Sequence, residues 1–320
     1  MHFAKNKSSL LAVALMVVSA WLAPSLAQSN TDQASLAKIA AVNLPPSNIN
    51  TIPAKKLFGG EKTPANLSAR AIGNYARGCL SGAKALPVNG EAWQVMRTSR
   101  NRNWGHPSLL NLVERLAVDG KEKAGWNGLL VGDISQPRGG PMLTGHASHQ
   151  IGLDADIWFT PMPDRVLSSK ERETLVPIEM VKDHKTLNAA GWTESRAKLI
   201  KIAASYPEVA RIFVHPPIKA ALCKWATGDR SWLAKVRPLY GHTFHFHIRM
   251  NCPAGMAGCT NQWTPKPDDG TGCGTELAYW MSGKPFEKPK PNPNAKPYVP
   301  PPPLTLKGLP AECRAVIQAP

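Results

Sequence analysis

The chain has 320 residues, 43% of them hydrophobic, with 38 Lys and Arg against 22 Asp and Glu, for a formal charge of +16. A chain of this length buries a full core as one large domain or as a domain plus a tail. Past the N-terminal segment no run is long and apolar enough to span a bilayer, which excludes stable membrane insertion, and the positive field attracts anions.

In chain order, residues 1–27 read as a cleavable signal peptide. Lys5 and Lys7 form the basic region, Leu10 to Leu22 the apolar region, and Ser25-Leu26-Ala27 the small-x-small cleavage site. Cleavage leaves a charge of about +14 and a soluble, exported protein of about 290 residues. Export makes nucleic acid a poor partner. An anionic cell-wall polymer or a carboxylate-bearing peptide fits better, and a basic surface that only aids solubility accounts for the charge equally well. The six cysteines, Cys79, Cys223, Cys252, Cys259, Cys273 and Cys313, are even in number and contain no C-x-x-C, so disulfides are expected rather than a zinc ribbon. Spacing alone does not choose the pairing, although Cys252 and Cys259 suit a short local loop.

Residues 28–62 are polar, Pro-bearing and weakly patterned, an irregular leader to a domain that runs over 28–283. Trp93 to Thr98 reads as a strand. Pro107 to Val118 reads as a helix with proline in its first turn and a face of Leu109, Leu110, Leu112, Val113 and Leu116. Gly128 to Ile134 is a second strand. Gly152 to Phe159 is a third, alternating Leu153, Ala155 and Ile157 with Asp154, Asp156 and Trp158. Helices are expected over Glu194–Ser205 and Pro217–Trp225, with a short strand over Arg211–Val214 between them. This order lacks a βαβα rhythm and favours an α+β fold, helices around a mostly antiparallel sheet. From Lys284 to Pro303 lysine and proline dominate, an extended polyproline-like stretch. Cys313 lies beyond it, so the 284–320 tail is expected to be strapped back onto the domain, with the distant Cys79 as candidate partner.

The most informative segment is Gly241 to Met250, where Phe244, Phe246 and Ile248 alternate with Thr243, His245 and His247. Side chains at i and i+2 share a face of a strand, so His245 and His247 are expected on one side with the aromatics in the core. A second segment, Gly145 to Asp156, contributes His149 in a loop and Asp156 inside a strand, with Gly152 allowing a close backbone approach. These two motifs hold five of the nine histidines. His149, Asp156 and His247 make a set of three N/O ligands, and three protein ligands with an open fourth position is the pattern of catalytic zinc.

On these residues the chain resembles the LAS-type zinc peptidases. The pattern is His149-x2-Gly152-x3-Asp156 with a distant His245-x-His247. The fuller match is to the penicillin-insensitive murein endopeptidases. It rests on Gly145–Gln150, Gly152–Ile157, Gln94–Thr98, Gly105-His106-Pro107, Arg211–Val214, Lys235–Pro238 and the His242/His245/His247 segment, and it covers the chain from about Cys79 to Cys313. The resemblance implies that His149, Asp156 and His247 bind the catalytic zinc. It implies that His245 acts in proton transfer or transition-state stabilisation, with His242 another active-site histidine. It implies a second metal position at His146 and Asp183, and the disulfides Cys79–Cys313, Cys223–Cys273 and Cys252–Cys259. The compartment it implies is the periplasm, and the substrate is the peptidoglycan stem peptide, cut at the D-alanyl–diaminopimelyl cross-link. The chain departs from the pattern in places. Ala147 and Asp154 replace the Ser and Ala that the broader group carries two residues before its first ligand and before its Asp. Thr186 stands where the second-metal set expects a histidine, leaving His184 as the substitute.

No H-E-x-x-H occurs, so the usual glutamate base is missing and His245 or His242 must move the proton. Ser148 and Ser135 sit in neither G-x-S-x-G nor S-x-x-K, which argues against a serine hydrolase. Asp154 is expected either to support a ligand or to be a solvated strand carboxylate, and Arg97 and Arg102 either hold a substrate carboxylate or are ordinary basic loop residues. Two rivals follow: a zinc D,D-carboxypeptidase, and a non-catalytic wall-binding protein working through its basic surface and tail. A homodimer stays open.

Overall fold

A computed structural model of the chain describes residues 49–263, 265–267, 269–288 and 297–320. The signal peptide over 1–27, most of the 28–62 leader and residues 289–296 of the Lys/Pro-rich tail lie outside the described residues.

The described residues carry ten strands: β1 (Arg70–Asn74), β2 (Arg77–Ser81), β3 (Lys84–Ala85), β4 (Trp93–Val95), β5 (Trp104–Gly105), β6 (Leu129–Val131), β7 (Asp154–Trp158), β8 (Val209–Val214), β9 (Val236–Pro238) and β10 (His245–Met250). Seven α-helices accompany them: α1 (Ala54–Gly60), α2 (Pro107–Ala124), α3 (Ser169–Thr174), α4 (Glu194–Ser205), α5 (Pro216–Trp225), α6 (Thr275–Met281) and α7 (Glu312–Gln318). Six strands form the central sheet in the order β4-β6-β7-β10-β8-β9. Its middle pairings are antiparallel and its two outer ones, β4 with β6 and β8 with β9, are parallel. The expected α+β architecture with a mostly antiparallel sheet is the one observed.

Alternation decides which face is buried. Ala155, Ile157, Phe246, Ile248, Ile212, Val214 and Val236 have no exposed surface, and they share one apolar core with Leu109, Val113 and Leu116 of α2 and Ala197, Ile200 and Ala203 of α4. Burying one leucine-sized side chain stabilises by roughly 1.5–3 kcal/mol, so reversing the register by one residue would push this whole set to the other face. The opposite face carries Asp154, Asp156, His245, His247, Arg249 and Arg211. Phe244 departs from the expectation. It precedes β10, so its ring does not follow the strand's alternation and instead meets Trp158 edge-on at 6.0 Å in a small satellite cluster.

The helix expected to end at Val118 continues to Ala124, where Gly125 at φ 61° closes it. The strand expected over Trp93–Thr98 stops at Val95, because Arg97 turns into the left-handed region at φ 55°. Within the leader expected to be irregular, residues 54–60 form α1. Leu57 and Phe58 of that helix pack with Ile72, Leu306, Leu309 and Val316 in a second core. Three disulfides join Cys79 to Cys313, Cys223 to Cys273 and Cys252 to Cys259. Arg138 completes the C-terminal attachment by donating to the carbonyls of Val316, Ile317 and Ala319, the orphan acceptors at the end of α7. The Cys79–Cys313 bond spans 234 residues, and closing so long a loop restricts the unfolded chain strongly. Replacing both cysteines with serine is expected to lower unfolding free energy by roughly 2–5 kcal/mol in denaturant titration. A change below about 0.5 kcal/mol would show that the small core holds the tail without the bond.

Candidate metal centre

Strand register lines up two polar rows across the sheet. Asp156 on β7, His247 on β10, Phe213 on β8 and Arg237 on β9 lie side by side, and one step along the pleat come Asp154, Arg249 and Arg211. His245 lies opposite Trp158. Buried polar groups at this density are tolerated only when each finds a partner.

His149 enters from the loop before β7 and has no exposed surface. Its backbone adopts φ 65°, a left-handed conformation that costs a non-glycine residue on the order of 1 kcal/mol or more. Three contacts hold it there. Its N–H donates to Asp154 Oδ2 at 2.9 Å, its carbonyl accepts from Ser135 Oγ at 2.7 Å, and its Nδ1 donates to the Ile134 carbonyl at 2.6 Å. Gly152 has the role its position suggested. At φ 68° a Cβ would lie 2.5 Å from Leu80 Cδ2 and 2.9 Å from the backbone nitrogen of His106.

With Nδ1 committed to a carbonyl, neutral His149 keeps its lone pair on Nε2. That atom is buried without a hydrogen-bond partner and lies 3.4 Å from Asp156 Oδ1, which is itself buried and unpartnered. His247 Nδ1 approaches the same oxygen at 3.6 Å, while Asp154 Oδ1, 3.0 Å from His247 Nε2, favours a proton on that far nitrogen. Acceptor faces acceptor in a dry place, an arrangement that calls for a cation between them. Ligand atoms 2.0–2.2 Å from one tetrahedral ion are separated by about 3.3–3.6 Å, and the spacings of Asp156 Oδ1 from His149 Nε2 and from His247 Nδ1, 3.4 and 3.6 Å, fall in that range. The donor set therefore fits a metal ion. Among the described residues the three metal-capable side chains whose ligand atoms all lie within 4.8 Å of one another are His146, His149 and Asp156. His146 Nε2, however, is already paired with Asp133 Oδ2 at 3.0 Å and meets the other oxygen of Asp156 at 3.5 Å.

The electrostatics agree with this geometry. Burial disfavours the charged form of Asp156, but His245, His149 and His146 outweigh it and hold the carboxyl well below its usual range. Burial pushes His149 down, yet the adjacent Asp156 carboxylate wins and lifts the imidazole to about 9, so with no cation between them a proton on Nε2 fills that place, and a metal ion bound there would displace it. Burial takes His247 down to about 4 and His242 to about 3, and also lowers His245, so these three keep free lone pairs at neutral pH. Asp154, fully buried, is no solvated strand carboxylate. Burial opposes its ionisation, but Arg249, His247 and His149 keep it ionised far into acid.

His245 Nε2 stands 3.6 Å from Asp156 Oδ1, and its Nδ1 is buried and unpartnered. His242, at φ 40°, holds its Nδ1 against the Tyr240 carbonyl at 2.9 Å and its ring 5.1 Å from that of His245. Two cavities flank this centre. One of about 460 Å³ touches His242, His247, Phe213, Arg211 and Trp280. The other, of about 340 Å³, touches His245, Asp156, Trp158, Phe244 and Arg100. His146 borders both.

Asp183 and His184 stand apart from this arrangement. Among the described residues no group of three metal-capable side chains joins them to His146. Asp183 Oδ1 accepts the N–H groups of Lys185 and Thr186 in its own loop, and His184 stacks on Phe286 at 3.8 Å. Arg97 is consumed by the carbonyls of Arg172, Glu173 and Leu175, and Arg102 by Asp133 and Thr144, so neither guanidinium is free for a substrate carboxylate. Sequence reasoning missed Asp133. It is 4% exposed, paired with Arg100, Arg102 and His146, and burial is outweighed by His146 and Arg102 to bring it down to about 2. A lone acid ending the apolar Gly128–Ile134 run was the available signal.

The chain is similar to known proteins over most of its length. The family model described as penicillin-insensitive murein endopeptidase matches residues 71–318. Relatives bearing that name are 45% identical over 255 residues in Haemophilus influenzae, 43% over 257 in Yersinia enterocolitica and 42% over 255 in Klebsiella pneumoniae. Each alignment covers 79% of this chain and 84%, 87% and 88% of the respective relative. Shared descent over that span, together with a buried carboxylate ringed by imidazoles on the sheet face, leads to one assignment: the chain belongs to the penicillin-insensitive murein endopeptidase family.

Proposed function

We propose that the chain is a periplasmic zinc endopeptidase that hydrolyses the D-alanyl–diaminopimelyl cross-links of peptidoglycan. The observation that carries this reading is Asp156 Oδ1, buried, without a hydrogen bond, and approached by His149, His247 and His245 nitrogens at 3.4, 3.6 and 3.6 Å. His149, Asp156 and His247 hold the zinc. Bound there, zinc supplies Lewis acidity towards a water and the scissile carbonyl. His245 stays outside the ligand set and accepts the proton of the attacking water, then returns it to the leaving amine. As an imidazolium it also faces the developing oxyanion. His242, whose Nδ1 is fixed as donor to the Tyr240 carbonyl, keeps Nε2 for the same work on the other side. Arg249 and Asp154 keep the wall rigid through two hydrogen bonds, at 2.8 and 3.1 Å. Export is supported by the signal-like N-terminus and by three disulfides, which persist in oxidising compartments. No described helix is long and apolar enough to cross a membrane.

Purified cross-linked muropeptide dimers test the reading. They should be converted to monomers with and without a β-lactam, since no serine is acylated, and should survive when a chelator is present. Intact dimers with released D-alanine would mean a D,D-carboxypeptidase. Tight murein binding with no hydrolysis at saturating zinc would mean a wall-binding protein.

A further inference from the structure

Three guanidinium groups, Arg211, Arg237 and Arg249, border the larger cavity together with His242 and His247. Two of them are neutralised. Arg249 gives Nε and Nη2 to the Asp154 carboxylate and Nη1 to Gln262. Arg237 gives Nε and Nη2 to Glu276 Oε1, at 2.9 and 2.6 Å, and Nη1 to the Pro265 carbonyl. Arg211 is different. It is 8% exposed, and among the described residues it makes one hydrogen bond, from Nη2 to the Trp263 carbonyl at 2.9 Å, and no ion pair. Burial first, then the repulsion of Arg237 and Arg249, pushes its pKa down to about 10, so it stays charged in a place that penalises the charge. The Glu276 carboxylate, already paired with Arg237, offsets that charge only in part, and a largely desolvated guanidinium with no ion pair of its own among the described residues, beside a cavity, suits a planar anion.

Register places that receptor. Phe213 lies opposite His247, and Arg211 is two residues along the same strand, about 7 Å away. An extended peptide covers about that distance in two residues. We propose that Arg211 recognises a free carboxylate of the substrate, one or two residues from the cleaved bond. The assignment rests on the endopeptidase reading above. A diaminopimelyl residue acylated on one amine keeps a carboxylate on the carbon that bears that amine, which puts a matching anion beside the scissile bond. The cavity is then a carboxylate-selective subsite, and murein whose diaminopimelate is amidated is a poor substrate.

The test compares cross-linked dimers carrying that carboxylate free or amidated, with kcat/KM measured on the zinc-loaded full-length protein. The wild type should prefer the free acid roughly 10- to 100-fold. Arg211→Gln should lower kcat/KM for the free acid to the amidated level and leave the amidated substrate nearly unchanged. Arg211→Lys should recover part of the preference, and it decides the matter if the glutamine variant does not fold, because undiminished wild-type discrimination by the lysine variant would overturn the assignment. Equal cleavage of both dimers by the wild type, or equal losses on both in Arg211→Gln, would remove the subsite while leaving the endopeptidase reading intact. Failure of the wild type to cut either dimer would tell against that reading itself.

Discussion

Asp156→Ala should yield a folded protein that retains almost no zinc after gel filtration and hydrolyses cross-linked dimers slower by on the order of 10³-fold or more. The magnitude follows from Lewis-acid stabilisation of about 4 kcal/mol at tenfold per 1.4 kcal/mol. The physical reason is the hub geometry. One oxygen of Asp156 faces His149, His247 and His245, so on the proposed reading its removal deletes both a ligand and the negative charge that would draw a cation into a dry site. Asp156→Asn tests charge apart from shape, since it keeps the volume but presents only one acceptor. The fold should survive either change, because Asp156 sits on the sheet face opposite the apolar core. Metal analysis with activity on the same sample settles it. Stoichiometric zinc and wild-type turnover in Asp156→Ala would mean that the carboxylate is structural and the metal, if any, sits elsewhere.

The second large effect is the opposite combination. His245→Ala is expected to bind zinc as the wild type does and to lose roughly 10²- to 10⁴-fold in kcat, the usual contribution of a positioned general base. Its neighbour two residues on, His247→Ala, should lose metal and activity together, so the pair separates base from ligand on one strand. The pH profile adds a check with a definite sign. Burial lowers the His245 pKa despite the opposing Asp156 carboxylate, and a dication nearby pushes it the same way. A base must be neutral to act, so turnover should rise with pH through a limb lying below the ordinary value of 6.5. That limb should vanish in the variant. If His245→Ala instead loses zinc in proportion to activity, the residue is a ligand and the proton passes through His242.

Much of this centre was legible in the chain. Period-2 alternation put His245 and His247 on one face, and the same alternation put Asp154 and Asp156 on one face of β7. Local pattern is enough there because strand geometry is local. The left-handed turn at His149 was not legible, since a non-glycine residue reaches φ 65° only when contacts such as those from Asp154, Ser135 and Ile134 hold it. The short α1 was hidden for the same reason. Its seven residues carry too little amphipathic pattern, and the helix is stabilised by packing against a tail more than two hundred positions away.

Sequence by itself therefore determined the types of β4, β6, β7, β8 and β10 and of α2, α4 and α5, the ligand-capable residues and the imidazole pair, because each depends on side-chain chemistry and on a repeat of two or about four residues. Tertiary structure alone decided three further matters. It committed Arg97 and Arg102 to carbonyls and Asp133 while leaving Arg211 with no ion pair among the described residues. It turned His146 to Asp133 and left Asp183 and His184 out of its cluster. It brought Asp156 between His149 and His247. Each of these depends on which strands neighbour which, and strand order is set by the burial of the whole apolar face, a sum over distant residues that no local spacing contains.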